Sequence, residues 1–263
     1  RQDGMSSADF NVGLGVGRDF DIGLSFPFLI NAWDNGGAQS RIILENSGLT
    51  EVRANAKYRI TGDKNGGVAV VGSIGSSLIE NNPYAGTGAG PTYNLELAGD
   101  TTAGKVGLGA NIGYRLRTPG KKLPGFSIDP LGDQFIASGA INYLIPGSAT
   151  KLIGEIFGSW PADKISQNTD RTQTTFEWIG GVKQDVSQQL ALHAGGGTKL
   201  ANGFASPDWR VYVGLNYVFG PLFGEPKPLI RKVKPDFSYE TASEEVESIT
   251  PFWAEPTEMS ERF

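Results

Sequence analysis

The chain has 263 residues, a net charge of -5, 37 glycines and no cysteine. The negative charge argues against a nucleic-acid partner, and the lack of cysteine excludes a disulfide framework and a thiolate metal site. No apolar run approaches the ~18 residues of a membrane-crossing helix, yet a mean hydropathy of -0.22 is also what membrane-crossing strands produce when half of each faces a polar lumen.

In chain order, residues 1–7 read as polar loop. Phe10, Val12, Leu14 and Val16 alternate with Asn11 and three glycines, and Arg18-Asp19 turns the chain. Ile22, Leu24, Phe26, Phe28 and Ile30 form the next apolar face, followed by a long polar connection over about 33–48. Val52, Ala54, Ala56, Tyr58 and Ile60 then oppose Glu51, Arg53, Asn55, Lys57 and Arg59. A compact turn at 62–66 leads to Val68, Val70, Ile74 and Leu78, and a Gly/Pro/Asn connection covers about 80–91.

Tyr93, Leu95 and Leu97 alternate with Asn94 and Glu96, and Thr101-Thr102-Ala103-Gly104 reads as the turn. Val106, Leu108, Ala110, Ile112, Tyr114 and Leu116 oppose Lys105, Asn111, Arg115 and Arg117, before a long connection over about 118–132. Phe135, Ala137, Ile141, Tyr143 and Ile145 precede a short Pro146-Gly147-Ser148. Leu152, Ile156 and Trp160 stand against Glu155 and Ser159, and a polar stretch follows over about 162–172. Phe176, Trp178 and Val182 alternate with Glu177, Lys183 and Asp185 up to a turn at Ser187-Gln188. Leu190 and Leu192 alternate with Ala191 and His193.

The stretch Asp208 to Phe219 shows the pattern most clearly. Trp209, Val211, Val213, Leu215, Tyr217 and Phe219 share one face; Arg210, Tyr212, Gly214 and Asn216 share the other. A strand alternates faces with period 2, so this is a strand between two unlike environments. An apolar outside, a polar inside and aromatics at both ends mark a membrane-crossing barrel strand. Trp160, Trp178, Trp209, Tyr217 and Phe219 are the expected membrane girdle.

Short turns (near 19, 64, 102, 147 and 188) alternate strictly with longer connections (near 40, 86, 125, 167 and 204). Short turns at one rim and long loops at the other is the outer-membrane barrel pattern. The expected fold is therefore all-β: an antiparallel transmembrane β-barrel over 1–220, with a Pro-rich tail over 221–263. About eleven strands are legible. Single-chain bacterial barrels have an even number, so a barrel of about twelve is expected, its first strand lying before Arg1.

Ser206-Pro207-Asp208-Trp209-Arg210-Val211 followed by Gly214-Leu215-Asn216-Tyr217 resembles the closing strand of the N-terminal barrels of OmpA-family outer-membrane proteins. Phe20-Asp21-Ile22-Gly23-Leu24-Ser25-Phe26-Pro27-Phe28 resembles their early hairpin. The resemblance implies a Gram-negative outer-membrane barrel, often followed by a peptidoglycan-binding domain. Nothing after 220 is similar to such a domain, which leaves peptidoglycan an open partner.

By parity the inward charges are Glu51, Arg53, Lys57, Arg59, Glu96, Lys105, Arg115, Arg117, Glu155, Glu177, Lys183, Asp185, Lys199 and Arg210. Charges of both signs facing a narrow lumen can pair and fill it, or leave a polar conduit whose basic residues favour anions. His193, the one histidine, reads as a polar filler of the lumen. No nucleophile–base–orienter set can be assembled, so neither an enzyme nor a cofactor is expected.

The tail joins a basic patch (Lys227, Arg231, Lys232, Lys234) to an acidic one (Glu240, Glu244, Glu245, Glu247). Its prolines exclude a long helix or a central strand. Phe237, Tyr239, Phe252 and Trp253 are the expected anchors for a periplasmic protein partner. Two functions follow as expectations: an outer-membrane scaffold anchored through this tail, or a passive porin-like channel for small polar solutes.

Overall fold

The computed structural model describes residues 3–34, 47–63, 65–124, 129–163, 172–203 and 205–220. It is all-β. Eleven long strands form one sheet: β1 (Asp3–Val16), β2 (Phe20–Asp34), β4 (Glu51–Asp63), β5 (Gly66–Ser77), β8 (Thr92–Ala103), β9 (Val106–Arg117), β10 (Gln134–Leu144), β11 (Thr150–Pro161), β12 (Thr175–Asp185), β13 (Leu190–Lys199) and β14 (Trp209–Tyr217). They are hydrogen-bonded to their sequence neighbours in that order, every pair antiparallel. Two-residue β3 (Gly48–Leu49) pairs with β2, while β6 (Asn81–Asn82) and β7 (Gly86–Thr87) pair with each other in a long loop.

The sheet is an up-and-down barrel wall, and its solvation is inverted relative to a water-soluble sheet. Apolar side chains stand on the exposed face: Leu95, Leu97, Ile112, Ile141, Val182 and Val213 are all exposed, the last at 85%. The buried face carries Arg53, Glu96, Asn111, Arg115, Gln134, Glu177 and Lys183, with a few apolar residues such as Ile136, Phe157 and Ile179. Along β8 the alternation is strict, with Tyr93, Leu95 and Leu97 exposed and Glu96 and Ala98 buried.

The short turns lie at one rim. The β8–β9 turn is Gly104-Lys105, closed by the Ala103–Val106 pair, with Gly104 at φ 61. That left-handed conformation is open to glycine without strain. The turn expected at Thr101–Gly104 is thus displaced: strand pairing runs on through Thr101, Thr102 and Ala103. A two-residue loop suffices once the glycine sits at its first position. Gly17 (φ 79) and Gly147 (φ 71) serve the turns after β1 and β10.

The long connections lie at the other rim and pack on one another. Thr87 bridges Lys121, Leu131 N–H donates to the Tyr84 carbonyl, and Thr172 bridges Gly203. Leu123 and Leu131 are buried under this cap. Residues 1–7, expected as loop, are strand from Asp3 onward, paired as far as Asp3–Asp34 with a bulge at Ser6/Ser7. Their polar character is no obstacle, because backbone pairing to β2 forms the strand above the apolar belt. The path ends on β1 and β14, which do not pair with each other.

Candidate functional site: the barrel interior

Towards the long-loop rim the inner wall carries a hydrogen-bonded row across six consecutive strands. Asn94 (β8) donates to Ser73 (β5) at 3.0 Å. Arg115 (β9) donates from Nε to Asn94 Oδ1 at 3.0 Å and from Nη1 to Gln134 Oε1 (β10) at 3.2 Å. Gln134 Nε2 donates to Ser159 Oγ (β11) at 3.2 Å, and Ser159 Oγ lies 2.8 Å from Thr175 Oγ1 (β12). Antiparallel register makes the row: Ser73–Asn94, Asn94–Arg115, Arg115–Gln134 and Ser159–Thr175 are all opposed pairs. Arg115 and Gln134 are each 2% exposed, so this level of the barrel is packed with side chains that satisfy one another.

An ion pair continues the same level. Arg210 (β14) reaches across β13 to Glu177 (β12), Nη2 to Oε2 2.5 Å. The strand between them presents Gly197, opposite Arg210, and so leaves room for the guanidinium. The guanidinium also lies 5.8 Å over the Phe157 ring of β11, a cation–π arrangement. Arg53 pairs with Glu51 at 2.8 Å on β4.

A second pattern covers the rest of the wall. Large polar or aromatic side chains lie flat over glycines of the adjacent strand. Tyr212 (β14) covers Gly195 and reaches Gly181; His193 (β13) covers Gly214. Asn55 covers Gly23, Glu96 covers Gly113, Asn142 covers Gly107 and Glu51 covers Gly75. At each of these glycines an added Cβ would collide with the overlying side chain. The side chains therefore run along the wall instead of across the lumen. His193 and Tyr212 have ring centroids 5.8 Å apart, tilted by 47°.

Of the expected lumen charges, Arg53, Glu96, Arg115, Glu155, Glu177, Lys183 and Arg210 lie on the inner wall, as do Glu51 and Lys57 at lower burial. Lys105 does not: it is an exposed residue of the β8–β9 turn, because pairing of Thr101–Ala103 moved the turn onto it. Arg59 sits at the short-turn rim, paired with Asp19 at 3.0 Å, and Asp185 ends β12 at that rim. Arg117 and Lys199 end β9 and β13 at the long-loop rim, Lys199 paired with Asp208 at 2.5 Å. The residues that build the row, Ser73, Asn94, Gln134, Ser159 and Thr175, escaped a reading that counted charges. Their signal was an amide or hydroxyl at inward parity, which single strands do not distinguish from filler. Among the described residues no group of three His, Asp or Glu could hold a metal ion.

On the outer face Tyr114, Phe135 and Trp160 form an aromatic chain, with centroids 5.1 and 6.1 Å apart. Trp178 and Trp209 are exposed and both register on Thr198. Tyr217 and Phe219 pack edge to face at 5.0 Å at the opposite rim. Phe237, Tyr239, Phe252 and Trp253 lie outside the described residues.

No family profile matches the chain, and no curated protein matches its sequence. Among solved structures it is similar to a NanC porin in a rhombohedral crystal form, with a TM-score of 0.57, 9% identity, and coverage of 81% of this chain and 92% of that one. The likeness is one of fold alone, an antiparallel β-barrel.

Proposed function

We propose that this protein is a narrow porin-like channel of the bacterial outer membrane that passes small polar solutes. The observation that carries the reading is the flattened lining. Tyr212, His193, Asn55, Asn142 and Glu96 each lie over a glycine of the neighbouring strand. A barrel evolved only to be filled would have side chains meeting across its axis, and its glycines would be cavities to close. Here small residues hold the long ones against the wall, which keeps a polar passage below the packed level. The packed row and the capping long loops form the narrow part.

The membrane setting is supported by the exposed apolar belt and by the aromatics at both of its ends. In water that surface would aggregate. The long-loop rim then faces outwards and the short-turn rim the periplasm.

Planar-bilayer recording on the purified full-length protein tests the reading. Discrete current steps that block with increasing solute size are expected. A preparation that shifts on an unboiled gel, as a folded barrel does, yet gives no steps would overturn the channel. No gel shift, with recovery in the soluble fraction, would overturn the membrane barrel itself.

A further inference from the structure

One step above the short-turn rim, antiparallel register lines up three basic side chains on three adjacent strands. Lys151 (β11) stands opposite Lys183 (β12), and Lys183 stands opposite His193 (β13). All three share the inward face. Lys151 has the parity of the buried Phe157 and Ser159, Lys183 is buried, and His193 alternates with the exposed Leu192. Side chains opposed in this way have Cβ atoms about 4.5–5.5 Å apart, and like charges so placed repel. No carboxylate opposes any of the three: the row continues into Leu144 of β10 beside Lys151 and into Gly214 of β14 beside His193. On these strands the nearest acids of the same face are Asp185, one inward position from Lys183 towards the rim, and Glu155. Glu155 lies four residues from Lys151, about 13 Å along β11.

The row adds nothing to the wall that an amide or a leucine at 151 would not supply without repulsion. What it supplies is convergent donors. Each ammonium carries three N–H groups on a flexible stem, and the imidazole carries at least one. Tyr212 adds a hydroxyl. Its ring lies over Gly195 and its oxygen over Gly181, the inward neighbour of Lys183 on β12. The Tyr212 and His193 rings, 5.8 Å apart, run along the wall over glycines and not out over the lysines. Lys151 and His193 are half-buried, which leaves the row within reach of the lumen.

Resting on the channel reading above, we propose that Lys151, Lys183, His193 and Tyr212 form an oxyanion-binding subsite in the short-turn half of the lumen, which takes the carboxylate or phosphate group of a permeating solute. An oxyanion presents several acceptor oxygens at once, so it can receive charge-assisted bonds from both ammonium groups together with those of the imidazole and the phenol. Chloride is a single centre and cannot span these donors. A general bias of the lumen towards anions does not saturate; a subsite does.

His193 is the one histidine of the chain, so isotope-labelled histidine reports on this row alone. The full-length protein in detergent micelles, its folding scored by the gel shift, is titrated at fixed pH and ionic strength with phosphate, acetate and chloride. A saturable shift of the imidazole signals with phosphate or acetate, and none with chloride, is expected; the tighter of the two identifies the group. Lys151→Gln and Lys183→Gln should each raise the half-saturating concentration about tenfold or more, and Tyr212→Phe about threefold. Lys105→Gln, the same charge change on an exposed turn at that rim, should leave it unchanged. No saturable shift with either oxyanion overturns the subsite. So does an equal shift with chloride, or a Lys105→Gln effect as large as that of Lys183→Gln. Planar-bilayer recording separates this from the channel itself. Saturable block of the chloride current at the same half-saturating concentration is expected, and an unblocked current overturns the subsite's place on the solute path. Current steps without a saturable shift remove the subsite and leave the channel. A saturable shift without current steps removes the channel and leaves the binding site.

Discussion

The guanidinium of Arg210 lies 2.5 Å from the carboxylate of Glu177, a side chain only 1% exposed, two strands away across Gly197. A buried pair of this kind adds little over an apolar pair, but breaking it strands a charge. Arg210→Ala is expected to destabilise the folded barrel by about 3–5 kcal/mol. Arg210→Ala with Glu177→Gln should recover more than half of that loss. Urea unfolding in lipid vesicles measures both.

Gly214 lies opposite His193, and the three atoms nearest to an added Cβ there all belong to the His193 ring. Gly214→Ala puts a methyl where the ring lies and tips the imidazole into the lumen. Single-channel conductance should fall while the gel shift is retained. Gly214→Ala with His193→Ala should restore it to at least the parent value, since the obstruction is then gone. An unchanged conductance in Gly214→Ala would mean that this side of the wall does not border the passage.

Gln134 is 2% exposed and links Arg115 to Ser159. Gln134→Leu keeps the volume but removes a hydrogen-bond partner from each of those groups. Leaving them short costs about 1–3 kcal/mol. A lower denaturant midpoint with an unchanged slope is expected.

Ile112 stands on the outer face near the middle of β9 and is 61% exposed. In water an arginine there would be almost neutral. In a bilayer Ile112→Arg should cost about 2–4 kcal/mol. Urea unfolding of the parent and the variant in lipid vesicles checks this, and an unchanged stability would mean that Ile112 faces water.

A salt test follows from the lumen chemistry. Of the expected lumen charges, those on the inner wall are five basic residues, Arg53, Lys57, Arg115, Lys183 and Arg210, against four acidic ones, Glu51, Glu96, Glu155 and Glu177. Under a KCl gradient the reversal potential is expected on the chloride-selective side. Lys57→Gln should move it towards zero.

The sequence by itself determined the strand alternation, the sorting of short turns from long loops, and hence an antiparallel barrel wall of eleven strands. These are local properties: a side-chain period of 2 and a turn length need no neighbour to be read. It also placed Arg53, Glu96, Arg115, Glu155, Glu177, Lys183 and Arg210 inwards, because parity follows from period. What only the tertiary structure decided was register. Gln134 stands opposite Arg115 and diagonal to Ser159, so it joins them, and Tyr212 finds Gly195 opposite it, because pairing sets which residues on different strands meet. The turn at Gly104-Lys105 was decided in the same way. Pairing of Thr101, Thr102 and Ala103 with β9 outweighed the turn character of those residues, and it put Lys105 on the rim. A one-residue slip in register changes every cross-strand partner, and no single strand encodes it.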